Sequence, residues 1–311
     1  MHFIVTGGAG FIGSHVTEQL LLAGHRVTVV DNLSTGQWHN LRSHANLQFL
    51  QKDICACQPD DFTEPIDGIA HLAATPSVIQ SWQQPLEAHH NNLSATVAVI
   101  ELCQTLNIPR LVTTSSAAVY GNPLQASIRE DHPTAPISPY GLQKLMSEQY
   151  ANLFAQHDGF SVINLRLFNV FGPRQRPDSH YSGVISIFTK AMQAGLPITI
   201  YGDGTQTRDF IYVKDVAIAF AKALTLPLPS SSSLVCNIGT GHAISLNELV
   251  DVLKAHFPTW RSQICYAPAR PGDIQDSRAD ITKAETLFDF QPSAFRACIQ
   301  EFLETLTTQT R

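Results

Sequence analysis

The sequence predicts an α/β protein built around a doubly wound parallel sheet, and three observations predict it. Short apolar segments alternate with helical segments through the first half of the chain. Each apolar segment is nearly continuous, as in strands that are buried on both faces. A glycine-rich turn joins the first apolar segment to the first helical one. Repeated strand–helix–strand units place parallel strands in one sheet, joined by right-handed crossovers.

Six apolar segments are predicted to be strands of this sheet. They are FIVTG (3–7), RVTVVD (26–31), LQFLQKD (47–53), IAHLA (69–73), RLVTTSS (110–116) and SVINLRLFN (161–169). Helices are predicted between them, among others at 13–24 and 91–106. Gly24 stands where the first of these helices ends, as glycine commonly does.

The strand–helix rhythm breaks after about residue 170, which predicts a second, smaller domain. The segment 171–183 is turn-rich, and 225–233 is a proline- and serine-rich loop. The predicted elements here are a helix at 184–195, a strand and turn at 197–204, a strand at 234–241, a helix at 245–257 capped by Ser245, and a helix at 292–308. The predicted domains are 1–169 with returning segments at about 208–240, and 170–207 with 241–311.

Composition narrows the class of protein. Among 311 residues, 44% are hydrophobic and 15% are charged, which is typical of a globular chain. The net charge of −6 argues against a nucleic-acid partner. No apolar run is long enough for a membrane span, and no signal peptide is recognisable. Six cysteines include one isolated C-x-C pair, Cys55 and Cys57, so we expect reduced thiols, no metal and a cytoplasmic location.

The turn TGGAGFIG carries glycines at 7, 10 and 13, directly after the first strand and at the start of a helix. Glycine permits a tight turn and a close approach to a pyrophosphate, and a helix N-terminus supplies N–H donors. Asp31 ends the second strand, 18 residues after Gly13. A carboxylate there accepts the ribose hydroxyls of NAD and repels a 2′-phosphate. A Rossmann-type NAD site is therefore predicted, in preference to NADP.

Further motifs occur in order along the chain. They are TGGAGFIGSH, DNLSTG, KDI, HLAA, SPYGLQK, RLFNVFGPRQ, GDGTQTRDFIYVKDVA, NIGTG and RPGDI. With these motifs the chain resembles extended short-chain dehydrogenases/reductases of the NAD-dependent epimerase/dehydratase family, and within it bacterial UDP-glucose/UDP-N-acetylglucosamine 4-epimerases. The resemblance covers essentially the whole chain. It is more specific for the family than for the substrate.

The resemblance implies a set of cofactor contacts. Asp53 and Ile54 hold the adenine, Leu72, Ala73 and Ala74 line the nucleotide path, and Asn92 lies nearby. Phe11, Ile12 and Asn32 join this set, together with Tyr140 and Lys144. Some relatives carry a lysine just past HLAA, whereas this chain has Pro76. A charged contact of those relatives is therefore missing here.

Tyr140 and Lys144 are the predicted catalytic pair. They stand four residues apart on a predicted helix, so their side chains share a face. An isolated tyrosine has a pKa of about 10 and is a poor base at neutral pH. A nearby ammonium and a positive nicotinamide stabilise the phenolate, which can then accept the proton of an alcohol.

Ser116 is the third predicted catalytic residue, at the carboxyl end of the strand 110–116. Its hydroxyl is expected to share a hydrogen bond with Tyr140 and the substrate. The sequence leaves open whether Ser115 or Ser116 faces the cleft, and the resemblance favours Ser116. In related 4,6-dehydratases the next two positions are Asp-Glu, and related decarboxylases have Glu at the second. Here they are Ala117 and Ala118, which transfer no proton.

Substrate contacts are implied by the resemblance. Arg208 and Arg270 bind the diphosphate, since the guanidinium fork matches phosphate oxygens. Asp273 binds a ribose hydroxyl, and Asn169 reaches a phosphate or the sugar. Ser277 occupies the place where glucose/galactose-restricted epimerases carry a tyrosine near the sugar C2. The smaller side chain predicts room for an N-acetyl group.

The predicted function is NAD-dependent 4-epimerisation of a UDP-hexose, UDP-GlcNAc/UDP-GalNAc and/or UDP-Glc/UDP-Gal, through a transient 4-ketose. One alternative is another epimerase, dehydratase or decarboxylase acting on a nucleotide sugar. Another is a non-catalytic NAD-binding sensor, although such relatives typically lose the tyrosine or lysine. A homodimer is expected through helices 91–106 and 139–156, although Leu93, Val97 and Ile100 can equally belong to the core.

Overall fold

The computed structural model describes residues 1–123, 125, 127–176, 183–269 and 274–308. Its strands are β1 (His2–Thr6), β2 (Arg26–Val30), β3 (Leu47–Leu50), β4 (Gly68–His71), β5 (Arg110–Ser116), β6 (Ser127–Ile128), β7 (Ser161–Leu167), β8 (Asn169–Phe171), β9 (Ile198–Tyr201), β10 (Thr207–Tyr212), β11 (Ser233–Ile238), β12 (Ala243–Ser245), β13 (Ile264–Ala267) and β14 (Arg278–Ala279). Its α-helices are α1 (Phe11–Leu22), α2 (Val78–Gln83), α3 (Pro85–His89), α4 (Ala95–Thr105), α5 (Pro139–Asp158), α6 (Val184–Gln193), α7 (Val213–Thr225), α8 (Leu246–His256), α9 (Thr282–Phe288) and α10 (Phe295–Thr308).

Seven parallel strands form the large sheet in the order β11-β7-β5-β4-β1-β2-β3. The chain proceeds from β1 towards β3 on one side and then returns to build the other side from β4. This order confirms the predicted doubly wound sheet. The strand order reverses between β1 and β4, and a crevice at the carboxyl ends of such strands is where ligands bind in open α/β sheets.

Side chains of the sheet alternate between two helical layers. Phe3 and Val5 of β1 pack with α1 and α7, whereas Ile4 packs with α4 and α5. Each of these three side chains is 0% exposed. Because successive residues of a strand point to opposite faces, one apolar strand supplies both cores. The near-continuous apolar segments of the sequence have this origin.

The predicted strand 161–169 is in fact two strands. β7 ends at Leu167, and the backbone N–H of Phe168 still donates to the carbonyl of Ile238 (3.0 Å). From Asn169 onward the chain pairs with β10 in a second sheet, of order β12-β10-β8. The chain therefore crosses between sheets at Phe168, and it places Asn169 beside the crevice.

A second core lies beyond this crossing. It joins β8, β9 and β10 to helices α6, α8 and α10, and its centre contains Phe171, Phe188, Leu249, Leu253 and Phe302. Ser245 caps α8 as predicted, since its side chain accepts a hydrogen bond from the N–H of Glu248 (3.1 Å). Within the described ranges, no helix is long and apolar enough to cross a membrane. The division into domains stays a prediction.

Asp209 joins the second sheet to the loops around it. One carboxylate oxygen accepts from the N–H (2.8 Å) and the hydroxyl (2.6 Å) of Thr240. The other accepts from the N–H groups of Gly241 (3.0 Å) and Ala279 (3.0 Å). The side chain is fully buried, and burial raises its pKa against the effect of these donors. The four bonds hold β10, the turn after β11 and β14 together.

Candidate active site

The glycine-rich turn lies between β1 and α1, at the carboxyl edge of the large sheet. Gly7 has φ +67°, a left-handed conformation that strains any other residue. A Cβ on Gly13 would lie 2.1 Å from the carbonyl oxygen of Gly7, so the turn closes only around glycine. The turn lines a cavity of about 390 Å³ with Gly7, Gly10, Phe11, Ile12 and Gly13.

Asp31 is fixed at the end of β2 by backbone donors. Its Oδ2 accepts from the N–H of Ala9 (2.9 Å) and its Oδ1 from the N–H of Leu33 (2.8 Å). The side chain lines the same cavity. Each carboxylate oxygen can accept a further hydrogen bond, so the pair is oriented to receive the two hydroxyls of a ribose.

The predicted adenine contacts lie together next to Asp31. The side-chain N–H of Asn32 donates to Asp53 Oδ2 (2.9 Å). Asp53 Oδ1 accepts from the N–H of Cys55 (2.9 Å), which caps a single 3-10 turn, Ile54–Ala56. Asn32, Asp53 and Ile54 all line the cavity. The arrangement offers polar groups at the edge of a flat base and an apolar side chain against its face.

Leu72, Ala73 and Ala74 line the cavity directly after β4, as predicted. The Thr6 hydroxyl accepts from the N–H groups of Leu72 (3.2 Å) and Ala73 (3.1 Å), which fixes this segment against β1. Pro76 also lines the cavity, where some relatives have a lysine. The glycine-rich turn, the Asp31 carboxylate and the apolar wall after β4 together fit NAD, the dinucleotide that the sequence predicts.

Asn92 lies behind the wall of the cavity rather than in it. It belongs to a π-helical turn, His90–Ser94, and its side chain is 2% exposed. Its Oδ1 accepts from the N–H of Thr75 (2.8 Å), and its Nδ2 donates to Gln143 Oε1 (2.7 Å). Among the described residues, the one that lines the cavity here is Asn91. These bonds tie the segment 73–76 to α5, and the cofactor contact of Asn92 stays a prediction.

Tyr140, Lys144 and Ser116 meet at the inner end of the cavity, and all three line it. α5 begins at Pro139, where the Ser138 side chain accepts from the N–H of Gly141 (3.1 Å). The first turns of α5 therefore face the end of β5. The Ser116 hydroxyl hydrogen-bonds to the Tyr140 phenol, and Lys144 Nζ donates to the carbonyl of Thr114 (2.8 Å).

Burial shifts the pKa values of both Tyr140 and Lys144. It raises the pKa of Tyr140, and the hydrogen bond from Ser116 lowers it. It lowers the pKa of Lys144 to about 8, against the opposing charge of Glu148. Lys144 is not among the groups that shift the pKa of Tyr140, since its ammonium donates to the carbonyl of Thr114, so the expected effect of Lys144 on Tyr140 stays a prediction.

The two serines that the sequence left open have different hydrogen-bond partners in the structure. Ser115 is 2% exposed, and its hydroxyl donates to Glu148 Oε1 of α5. Ser116 Oγ accepts from the N–H of Ala118 (3.2 Å), so its proton is directed away from that donor. Both serines line the first cavity, and Ser116 is the one whose hydroxyl hydrogen-bonds to the Tyr140 phenol.

Ala117 and Ala118 begin a 3-10 turn, Ala117–Tyr120, directly after Ser116. Gly141 packs against this turn so closely that a Cβ on it would lie 2.6 Å from the carbonyl oxygen of Ala118. The turn and α5 therefore touch through backbone. At these two positions the chain offers methyl groups, which transfer no proton.

A second cavity of about 620 Å³ adjoins the first, and Val170 and Gln175 line both. Asn169 and Arg208 line the second cavity, as expected for residues that contact one ligand. Asn169 Nδ2 donates to the carbonyl of Asp209 (3.2 Å), and Arg208 Nη1 to that of Thr207 (2.8 Å). Arg270 and Asp273 lie outside the described residues. Ser277 is buried and is not among the described lining residues of either cavity.

Three residues of the loop after β8 line the first cavity without having been predicted. They are Arg174, Gln175 and Arg176. Arg174 is held at φ +67° and pairs with Glu18 of α1 (2.6 Å). The signal was present in the sequence, because two arginines follow a strand end within GPRQRP. Their proximity to the glycine turn depends on the crossing at Phe168, which local pattern does not reveal.

Within the described part of the chain, one group of side chains has the composition of a metal site. Ligand atoms of Asp53, Cys55 and His90 lie within 4.8 Å of one another. The sequence predicts no metal, and Asp53 is already bonded to Asn32 and to the N–H of Cys55. Burial and Asp53 also raise the pKa of the Cys55 thiol to about 11, which disfavours a thiolate ligand. We assign no ion to this group.

Comparison with known proteins agrees with the geometry. The model of the NAD-dependent epimerase/dehydratase family matches residues 3–239. A protein of Methanocaldococcus jannaschii named putative UDP-glucose 4-epimerase is 38% identical over 287 residues, which cover 91% of each chain. The family match spans the glycine turn, Ser116, Tyr140 and Lys144.

Two solved structures are similar over nearly their whole length. A UDP-N-acetylglucosamine 4-epimerase from Methanobrevibacter ruminantium, solved with UDP-N-acetylmuramic acid, gives a TM-score of 0.93 at 35% identity, covering 99% of this chain and 98% of that one. A UDP-glucuronic acid 4-epimerase from Bacillus cereus, solved with UDP-glucuronic acid and NAD, gives 0.90 at 30% identity, covering 99% and 100%. The similarity extends through both cavities.

Proposed function

Because the chain belongs to the NAD-dependent epimerase/dehydratase family, we propose that it is an isomerase that interconverts the C4 epimers of a UDP-hexose through a transient 4-ketose. One observation carries this proposal. Tyr140 and Ser116 meet beside the nucleotide cavity, and the two positions after Ser116 are Ala117 and Ala118. The site is thus equipped to move a hydroxyl proton, and these two positions offer no group that eliminates water.

The chain's own residues handle the proton. Bound NAD supplies the acceptor and donor of a hydride at C4. Ser116 and Tyr140 hold the C4 hydroxyl, and the Tyr140 phenolate takes its proton as the carbonyl forms. Lys144, four residues along α5, adds positive charge that favours the phenolate. After the ketose turns in the cleft, Tyr140 returns the proton to the oxygen on the opposite face.

The second cavity supports a nucleotide-diphosphate substrate. Val170 and Gln175 line both cavities and Arg208 lines the second, which supports a sugar bound towards Tyr140 with its diphosphate near Arg208. Arg208, Asn169, Arg270 and Asp273 remain proposed ligands, of which the structure describes the first two. Ser277 remains the proposed determinant for an N-acetyl group at C2, and its buried hydroxymethyl group leaves more volume than a tyrosine.

Proton NMR of the purified protein with UDP-GlcNAc and, separately, UDP-glucose tests this function. We expect the C4 epimer of UDP-GlcNAc to appear at unchanged mass. Ser277→Tyr is expected to lose the N-acetylated pair selectively, by at least tenfold relative to UDP-glucose, because the phenol fills the space next to C2. Ser277→Thr, a smaller change at the same site, is the control. Equal loss of both pairs in Ser277→Tyr contradicts the assignment of Ser277.

Other functions predict other products. Since one similar structure is a UDP-glucuronic acid 4-epimerase, a sugar acid is the first alternative substrate. A dehydratase or decarboxylase changes the mass of the product, whereas an epimerase does not. A non-catalytic NAD sensor gives no product, and it shows no reduced-nicotinamide absorbance on addition of any UDP-sugar.

A further inference from the structure

An ion pair is buried behind the catalytic residues. Glu148 of α5 and Arg166 of β7 are 2% and 5% exposed. The pair is bidentate: Arg166 Nε donates to Glu148 Oε1 (2.9 Å) and Nη2 to Oε2 (2.7 Å). Desolvation of two charges is expensive, so a pair of apolar residues is often as stable or more so. Because the Glu148–Arg166 pair carries this cost, we expect it to have a role in the adjacent site of Ser116, Tyr140 and Lys144.

Glu148 contacts both elements that carry the site. It stands four residues after Lys144 and eight after Tyr140, on the same side of α5. Its Oε1 also accepts the hydroxyl of Ser115, the residue before Ser116. One carboxylate therefore fixes the orientation of the end of β5 relative to α5. It also places a negative charge one helical turn from the Lys144 ammonium.

We propose that Glu148, held by Arg166, is a positioning residue that sets Ser116 against Tyr140 and places a negative charge beside Lys144. The proposal rests on the proposed roles of Tyr140 and Lys144. It has two separable parts. The hydrogen bond to Ser115 fixes the end of β5, and the charge of the carboxylate acts on Lys144 through space.

Charged and titratable groups from three elements surround Lys144. From β4, His71 is held neutral, because burial and Lys144 lower its pKa to about 3. From α5, Glu148 is the opposing charge that acts on the pKa of Lys144. From β7, Arg166 lies over the Tyr120 ring (4.8 Å) and donates to the carbonyl of Glu130 (3.1 Å).

Loss of the negative charge on Glu148 is expected to change the pKa of Lys144 in one direction only. Burial already lowers the pKa of Lys144 to about 8, so this lysine is close to neutral at moderately alkaline pH. Without the charge of Glu148, and with Arg166 left unpaired, the pKa of Lys144 falls further. A neutral Lys144 no longer favours the phenolate, so the pKa of Tyr140 rises.

The test is an ultraviolet titration of tyrosinate in the NAD-bound protein, as the difference between each variant and the same variant carrying Tyr140→Phe. Glu148→Gln is expected to move the Tyr140 transition to higher pH by about one unit, a tenfold change in its ionisation constant. Ser115→Ala keeps the charge and loosens only the contact of Ser116 with Tyr140, so its transition is expected to move by less than that of Glu148→Gln. A folded Glu148→Gln protein whose Tyr140 transition matches the wild type overturns the electrostatic part.

A second variant covers the case in which the unpaired arginine prevents folding. Glu148→Gln with Arg166→Met removes both charges and keeps the packing volume, and it is expected to shift the Tyr140 transition in the same direction. An unchanged transition in this variant also overturns the electrostatic part.

Sugar turnover tests the role of the Ser115 hydrogen bond. It also separates the proposed role of Glu148 from the proposed function of the protein. Ser115→Ala is expected to lower kcat about tenfold at unchanged KM, and an unchanged kcat overturns the role of the Ser115 bond. If the expected sugars are not turned over, kcat is measured as the rate at which any UDP-sugar reduces bound NAD. The titration needs no sugar, so a shifted transition without epimerisation supports the role of Glu148 and contradicts the proposed substrate. Epimerisation with an unshifted transition does the reverse.

Discussion

The Tyr140 phenol is held by opposing influences. Burial raises its pKa, whereas the hydrogen bond from Ser116 lowers it. A general base in this environment works only if further positive charge arrives with the ligand or through Lys144. The catalytic unit is therefore a set of groups that depend on one another, and removal of any one affects the others.

Tyr140→Phe removes the phenolic proton acceptor and keeps the ring. We expect the rate of sugar turnover to fall by about 10³-fold, the usual range for loss of a general base, with the affinity for NAD nearly unchanged. Stopped-flow absorbance of reduced nicotinamide and calorimetric binding of NAD measure the two effects. Tyr150→Phe, an exposed tyrosine of the same helix, is the matched control. A Tyr140→Phe protein with more than a tenth of wild-type activity contradicts the assignment.

Lys144 lowers the stability of the folded protein at neutral pH. Its pKa of about 8 in the folded protein lies below the ordinary lysine value of 10.5, so the folded state disfavours the ammonium. Between these two pH values the folded protein has released a proton that the unfolded chain still holds, and the contribution of Lys144 to stability rises with pH.

Lys144→Met is therefore expected to stabilise the nucleotide-free protein at pH 7 by about 2 kcal/mol, the desolvation cost less one hydrogen bond. The advantage is expected to shrink as the pH rises from 8 towards 10.5. Denaturant unfolding across this range measures it. Lys254→Met, at an exposed lysine of α8, is expected to show no such trend. A Lys144→Met protein that is less stable than wild type at pH 7 contradicts the account.

Single residues of the site were predictable where the backbone pattern alone decides their direction. The four-residue spacing on α5 places Tyr140 and Lys144 on one face of the helix, and both line the first cavity. Asn92 was not predictable in this way. Its neighbour Asn91 lines the cavity because a π-helical turn shifts the register of side chains there. Such a turn leaves no mark in apolar periodicity.

At the scale of elements, long-range pairing decides what the sequence does not show. SVINLRLFN continues its apolar pattern through Asn169, yet its last residue pairs with β10 rather than with β11. α7 was not predicted, although Val213, Val216, Phe220 and Leu224 follow helical spacing and are all buried.

Asp209 gives a test at this scale. Asp209→Asn turns an amide N–H towards donors that the carboxylate now satisfies, so at least two buried N–H or O–H groups lose their acceptor. We expect a loss of about 3 kcal/mol in the free energy of unfolding. Asp203→Asn, at an exposed aspartate, is expected to change it by less than about 0.5 kcal/mol. Chemical denaturation measures both, and equal stability of the two variants contradicts the joining role of Asp209.

At the scale of the whole molecule, one surface is unusually apolar. Helices α2, α3 and α5 pack together, and they expose Ile79, Trp82, Leu86, Leu142, Tyr150 and Leu153, here called the α2–α5 patch. Trp82, Leu86 and Leu153 are 64%, 82% and 67% exposed. Leu93 and Ile100 of the segment 91–106 are core residues, the alternative that the sequence left open. The apolar surface expected for a dimer lies instead mainly on α5 and the two short helices.

We expect the α2–α5 patch to bury itself against a second copy of the chain, since contiguous exposed apolar surface marks an interface. Leu153→Glu places a charge in this patch and is expected to give a particle of one 34.1-kDa chain, where the wild type gives two. Light scattering after size exclusion measures the mass. Leu22→Glu alters a leucine that is 78% exposed on α1, and it is expected to leave the dimer intact. A wild-type protein that is monomeric at micromolar concentration contradicts the expectation.

The fold of the large sheet was predictable because each strand is a local apolar run, and the order of strands follows from crossover rules. The identity of the sugar was not, because it depends on loops that converge from distant parts of the chain. Ser277 illustrates this. Its position was inferred by comparison with relatives, and the structure shows it as a buried residue just before β14.

The fate of the C4 hydrogen tests the central claim most directly. The protein is incubated in ordinary water with UDP-GlcNAc deuterated at C4, and in deuterium oxide with unlabelled UDP-GlcNAc. Because the hydride leaves C4 and returns within the closed site, and Ala117 and Ala118 offer no base for C5, we predict that the epimer keeps the C4 deuterium in the first sample. We also predict that it gains no solvent deuterium at C4 or C5 in the second. Loss of the C4 deuterium, or solvent deuterium at C5, would contradict the proposed 4-epimerisation.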